Sequence, residues 1–137
     1  MKIAKKISTI LCEDIREEKG GKLSYLGVFG IENSGILLDT VPVDLPKICL
    51  AVMLSEMQVQ IENMQATIKS PGKDKIPLNF KSVPKHDIGK NITLGIFVTP
   101  FKVATTGKAK FEIKFNNEKK PSITFEFNIL LKDQKSV

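Results

Sequence analysis

GKAKFEIKFNNEKKPSITFEFNILL, residues 107–131, is the stretch whose reading decides the fold. Ala109, Phe111, Ile113 and Phe115 alternate with Lys108, Lys110, Glu112 and Lys114. Beyond the turn NNEKKP, Ile123, Phe125, Phe127 and Ile129 alternate with Thr124, Glu126 and Asn128. Side chains leave a strand on opposite faces with a period of two, so each half has one dry face and one wet face. Two such halves joined by a polar turn predict an antiparallel hairpin. Lysines facing Glu126 across it would add favourable cross-strand pairs of a few tenths of a kcal/mol each.

Working outward, the same period recurs. Strands are predicted over KISTILCEDI (6–15), LSYLGVFGIE (23–32), KICLAVMLSE (47–56), QVQIENMQATIK (58–69), IPLNFKSV (76–83) and ITLGIFVTPFKV (92–103), with Pro100 ending regular pairing. KICLAVMLSE is nearly all apolar, which suits a central strand. NSGILLDTVPVDLP (33–46) is punctuated by proline and reads as a long connection. Over 53–68 a helix competes with the strand, because Met53, Met57, Ile61 and Met64 form a crude helical stripe. About eight short strands in 137 residues predict one all-β domain spanning 1–137. Its expected form is an antiparallel two-sheet β-sandwich of immunoglobulin-like kind.

Composition excludes more than it identifies. A chain of 137 residues with 42% apolar and 26% charged residues can bury a core without metal or disulfide staples. Its net charge of +6 invites a nucleic-acid reading, yet 20 of the 21 basic residues are lysines. Arginine, the residue suited to bidentate contacts with phosphate and guanine, occurs once, as Arg16. The charge is also uneven, net −2 over residues 1–68 and +8 over 69–137. Lys102, Lys108, Lys110 and Lys114 are therefore the residues that a nucleic-acid contact would use. Cys12 and Cys49 could form one bridge on count alone, but each falls within an apolar strand pattern, and they read as two buried thiols in a reducing compartment. The start MKIAKKISTILC has too short an apolar run for a secretory leader, and no stretch has 18 apolar residues. The expected setting is cytoplasmic, away from any membrane.

Catalytic patterns are missing from the sequence. His86 is the one histidine, adjacent to Asp87 in a polar loop, which provides neither a triad nor a zinc set. Gly20-Gly21-Lys22 lacks the spacing of a phosphate loop and reads as a hairpin turn. Gly27 and Gly30 read as marks of a bulge or close backbone approach. In EDIREE, alternation sends Glu13, Ile15 and Glu17 one way and Asp14, Arg16 and Glu18 the other. Divided acids do not converge on a cation, so the acidic run reads as the solvated end of strand one, with Arg16 held between Asp14 and Glu18. Tyr25 and Phe97 fall out of phase with the inner residues of their strands and are candidates for an exposed contact surface. No enzyme activity and no cofactor are expected.

LCEDIREEKGGKLSYLGVFG (11–30) resembles the N-terminal signature of a group of small bacterial or phage proteins of unknown function. Leu11, Cys12, Glu13, Asp14, Ile15, Arg16, Gly21, Lys22, Leu26, Gly27, Val28 and Phe29 carry the resemblance. LPKICLAVML and FKVATTGKAKFEIKFNN are similar to that group's later strands, with VATTG standing where the group commonly has proline-glutamate-proline-glycine. The resemblance implies an immunoglobulin-like sandwich and no particular activity. Together these readings favour a non-catalytic protein-binding or assembly module acting through sheet edges, loops or one exposed face. A lysine-mediated nucleic-acid module is one alternative. The other is a small-ligand (metabolite or nucleotide) binder with a pocket near His86 and Arg16.

Overall fold

The computed structural model of the chain describes residues 2–29, 35–78 and 85–132. Within them twelve strands follow in order: β1 (Ala4–Cys12), β2 (Asp14–Glu17), β3 (Leu23–Leu26), β4 (Gly35–Leu38), β5 (Val43–Leu45), β6 (Ile48–Met57), β7 (Met64–Lys69), β8 (Ile76–Leu78), β9 (Ile92–Val98), β10 (Phe101–Val103), β11 (Gly107–Phe115) and β12 (Ile123–Leu131). The protein is all-β, with several sheets. A 3-10 turn lies at Lys19–Gly21, and among the described residues no helix is long and apolar enough to cross a membrane.

The deciding hairpin is β11 and β12, with Phe111 opposite Phe125 and Lys110 opposite Glu126. Its turn works because Asn116 and Asn117 take the left-handed backbone (φ 51° and 59°), which asparagine tolerates better than most residues. The Glu118 carboxylate then accepts the Phe115 N–H at 2.9 Å and the Ser122 hydroxyl at 2.6 Å, closing the turn from inside.

Five strands in the order β4–β12–β11–β7–β8 form one sheet, and three in the order β1–β6–β9 form another. All pairings in them are antiparallel except β12 with β4, which is parallel. The central placing of the apolar strand β6, between β1 and β9, follows from its fully apolar first half. A single hydrophobic cluster draws Ile48, Leu50 and Val52 of β6, Ile96 of β9, and Phe111 and Phe127 of the hairpin. Phe127 touches Phe111 (5.9 Å between ring centroids), Phe125 (6.3 Å) and Phe101 of β10 (6.0 Å). Tilted aromatic contacts of this kind add to the area term of burial.

Several sequence expectations are corrected. Strand 6–15 is two strands, because the chain leaves β1 after Cys12 and begins β2 at Asp14. Residues 92–103 divide likewise into β9 and β10 around Thr99–Pro100. The supposed connection 33–46 contains β4 and β5; β5 pairs with β10 in the same register diagonal that joins β6 to β9 (Leu45 with Phe101, Ile48 with Val98), so one ladder resumes beyond Pro46 and Pro100. Neither helix nor strand spans 53–68. β6 runs to Met57, β7 starts at Met64, and the residues between them are held by a side chain. Asn116 accepts the Glu62 N–H at 2.7 Å and donates to the Gln60 carbonyl at 2.8 Å, satisfying groups that a helix would have paired internally. The strand expected over 76–83 is β8 for its first three residues, and the remainder lies outside the described residues, as does Gly30.

Candidate functional site

β2 and β3 pair as a hairpin, Asp14 opposite Leu26 and Ile15 opposite Tyr25, around the turn containing Gly20 and Gly21. Its root is a bulge. The Glu13 N–H is shared by the Leu26 and Gly27 carbonyls at 2.9 and 3.2 Å, and the Phe29 N–H returns to the Leu11 carbonyl at 2.8 Å. Gly27 has φ +61°, a left-handed conformation that favours glycine, and a Cβ there would lie 2.6 Å from the exposed Glu13 side chain, which would have to swing aside. The bulge also changes which side chains meet. Glu13 lines the same cleft as Asp14 and Arg16, against the strict alternation expected for EDIREE.

That cleft has a volume of about 510 Å³. Glu13, Asp14, Arg16 and Lys47 supply its charges, and Leu26, Phe29, Ile36, Leu37, Leu38, Leu45 and Pro46 its apolar walls. Ile36, Leu37 and Leu38 are consecutive residues of β4. Successive strand side chains point to opposite faces, so a cleft reached by all three runs along the strand's edge rather than over one face. β4 is an end strand of its sheet, and Leu37 is 40% exposed.

Arg16 is not held between Asp14 and Glu18. Lys47 takes Asp14 instead, at 3.0 Å, and among the described residues no carboxylate lies within ion-pair distance of Arg16. The Lys47 ammonium beside Asp14 holds its carboxyl below the ordinary carboxylate range, with the Ile15 N–H bond to Asp14 (2.8 Å) and the Arg16 charge assisting. Glu18 does not line the cleft. Its N–H donates to the Lys22 carbonyl at 2.7 Å and so belongs to the hairpin's turn.

Tyr25 and Phe97 fall elsewhere. Phe97, 39% exposed, lies on the outward face of β9, where the Lys47 ammonium stands 5.3 Å from its ring centroid. Tyr25 shares a hairpin face with Ile15, whose Cδ1 is 3.3 Å from where a Gly95 Cβ would stand. Tyr25, the other candidate for an exposed contact surface, is half-buried. Lys47 links the two regions, touching Asp14 on one side and Phe97 on the other. Sequence reasoning missed it because nothing local distinguishes one lysine before an apolar strand.

The four lysines divide. Lys108, Lys110 and Lys114 lie on the outer face of β11, with Lys69 opposite Lys110 on β7. Acids neutralise part of that face: Lys75 reaches Glu112 at 2.7 Å, Lys110 reaches it at 3.8 Å, and Lys108 reaches Glu126 at 3.4 Å. The Lys75 ammonium holds the Glu112 carboxyl below its usual value, and Lys110 and Lys114 lower it further. Lys102 is on β10, at a different cleft of about 430 Å³ shared with Ser70, Ile76 and Phe101.

Among the clefts of the described residues, Arg16 and His86 line different ones. His86 lines a third cleft, of about 440 Å³, with Gln60, Ile61 and Asp87. Its ring Nε2 lies 3.2 Å from the Val59 carbonyl, and its own carbonyl accepts from Gln60 at 2.6 Å, a loop-fastening arrangement. Among the described residues no three metal-ligating side chains converge. No known protein-family model matches the chain, and no curated protein matches it in sequence.

Proposed function

We propose that the protein is a non-catalytic binding module that takes an extended segment of a partner protein as an added strand along β4. The observation that carries this reading is the course of the 510 Å³ cleft along three consecutive β4 residues. Strand addition draws its affinity from main-chain hydrogen bonds to a free edge and its specificity from pockets for alternate side chains. Leu26, Phe29 and Leu45 offer apolar pockets, while Arg16 and the Asp14–Lys47 pair offer a polar rim. The architecture behind it is, on this reading, an immunoglobulin-like sandwich of the two main sheets. The orders β1–β6–β9 and β4–β12–β11–β7–β8, the shared core and the Phe101–Phe127 contact support that arrangement. The resemblance of residues 11–29 to small bacterial or phage proteins agrees with it.

A second reading, nucleic-acid contact through Lys69, Lys108, Lys110 and Lys114, is favoured by their sharing one face. Capture from a lysate of the source cells at about 300 mM salt, where exposed charges are strongly screened, separates the two. Wild type is compared with Leu37→Asp and with Lys110→Glu/Lys114→Glu. A protein retained by wild type and by the lysine variant but lost with Leu37→Asp supports the β4 edge. A partner that ignores Leu37→Asp, or nucleic acid lost only with the lysine variant, overturns it.

A further inference from the structure

Cys12 ends β1, Cys49 is the second residue of β6, and the register sets them directly opposite each other. Directly opposed residues of antiparallel strands have Cα atoms about 4.5–5.5 Å apart, within the roughly 4.4–6.8 Å that a disulfide spans. Their side chains leave the sheet on the same face, directly opposed across the β1–β6 ladder. Both are fully buried and unbridged.

The face they occupy is not that of the main core. Leu11 and Leu50, next to them along each strand, belong to the core cluster, and the cysteines do not. They lie on the outward face, with Phe97 opposite Cys49 on β9 and the β2–β3 hairpin packed against β6. Ile15 of that hairpin reaches Gly95, two residues before Phe97. Burial pushes both thiols up, and the neighbouring Asp14 charge pushes the same way. The closed fold therefore keeps them protonated and poorly nucleophilic.

We propose that Cys12 and Cys49 are an oxidisable dithiol, a modification site that a small disulfide converts into a cross-strand bridge between β1 and β6. One thiol, once uncovered and deprotonated, attacks a sulfur of the small disulfide. The reagent's S–S bond breaks, one thiol of it departs, and a mixed disulfide remains. The opposed cysteine then attacks the protein sulfur of that bond and releases the second thiol. The protein loses two hydrogens and the reagent gains them. The site stands independently of what the cleft along β4 binds.

The test treats the full folded chain with oxidised glutathione and follows intact mass and free thiols. The expected product is lighter by about 2 Da, carries no glutathione, has lost both thiols together and reverts with dithiothreitol. Cys12→Ala and Cys49→Ala should each end with glutathione attached or unreacted, without the lighter product. Oxidising the chain in denaturant and refolding it tests the geometry apart from access. The bridge closes a long loop, so the linked protein should melt higher, by on the order of 5–10 °C. A bridged chain that melts lower than the dithiol overturns the proposal. So does a folded protein that accumulates only glutathione adducts, or one that keeps both thiols free under conditions that bridge the denatured chain.

Discussion

The Lys47 ammonium lies 3.0 Å from an Asp14 carboxylate oxygen and 5.3 Å from the centre of the Phe97 ring. One side chain thus ties the β2–β3 hairpin to the sheet that carries β9, at the rim of the cleft along β4. Lys47→Met keeps most of the stem and removes the charge. Carbon-detected titration should then show the Asp14 carboxyl moving up toward its ordinary range. An unchanged Asp14 titration would mean that the pairing is not formed in solution.

Gly27 should be the least replaceable residue of the hairpin. Gly27→Ala adds a Cβ 2.6 Å from Glu13 at a backbone angle that alanine avoids, and should destabilise the fold by about 1–3 kcal/mol in urea unfolding. Adding Glu13→Ala removes the clash and leaves the angle, so only part of the loss should return. Full recovery would show that backbone conformation contributes nothing.

Phe111 and Phe97 should separate sharply. Phe111 is fully buried against Phe127, and Phe111→Ala should cost about 3–5 kcal/mol. Phe97→Ala, on the outward face, should cost about 1 kcal/mol or less. Equal costs would contradict the face assignment of β9.

Acid should weaken the fold partly through Glu112. Its carboxyl is lowered in the folded state chiefly by Lys75, so the folded protein binds fewer protons than the unfolded chain as the pH falls through the carboxylate range. Stability from this group is present above about pH 4 and is lost below it, as the pH passes through the lowered folded value. Urea unfolding of wild type and Glu112→Gln between pH 2 and 7 checks this, and the variant should show a shallower loss on acidification. Parallel curves would remove Glu112 from the account.

The β11–β12 hairpin was legible because its information is local: period-two alternation and two asparagines at the turn carry the register. β4 was not. GILL within a proline-punctuated segment is too short to signal a strand, and its partner β12 lies far along the chain, in parallel register. The bulge at Glu13 was invisible for a related reason, since only the return of Gly27 and Phe29 onto the chain creates it. Arg16 and Asp14 could be singled out by residue type, but the ion pair belongs to Lys47, more than thirty residues later. The reading of Phe97 as an outward residue needed only its phase within ITLGIFV and was recovered.

Amide hydrogen exchange on the partner-bound protein tests the central claim most directly. Strand addition predicts that the alternate amides of Gly35–Leu38 pointing away from β12 gain protection, by tenfold or more, while the amides of β7 and β11 exchange as in the free protein. Protection confined to β7 and β11, with β4 unchanged, would contradict it and move the binding surface to the lysine face.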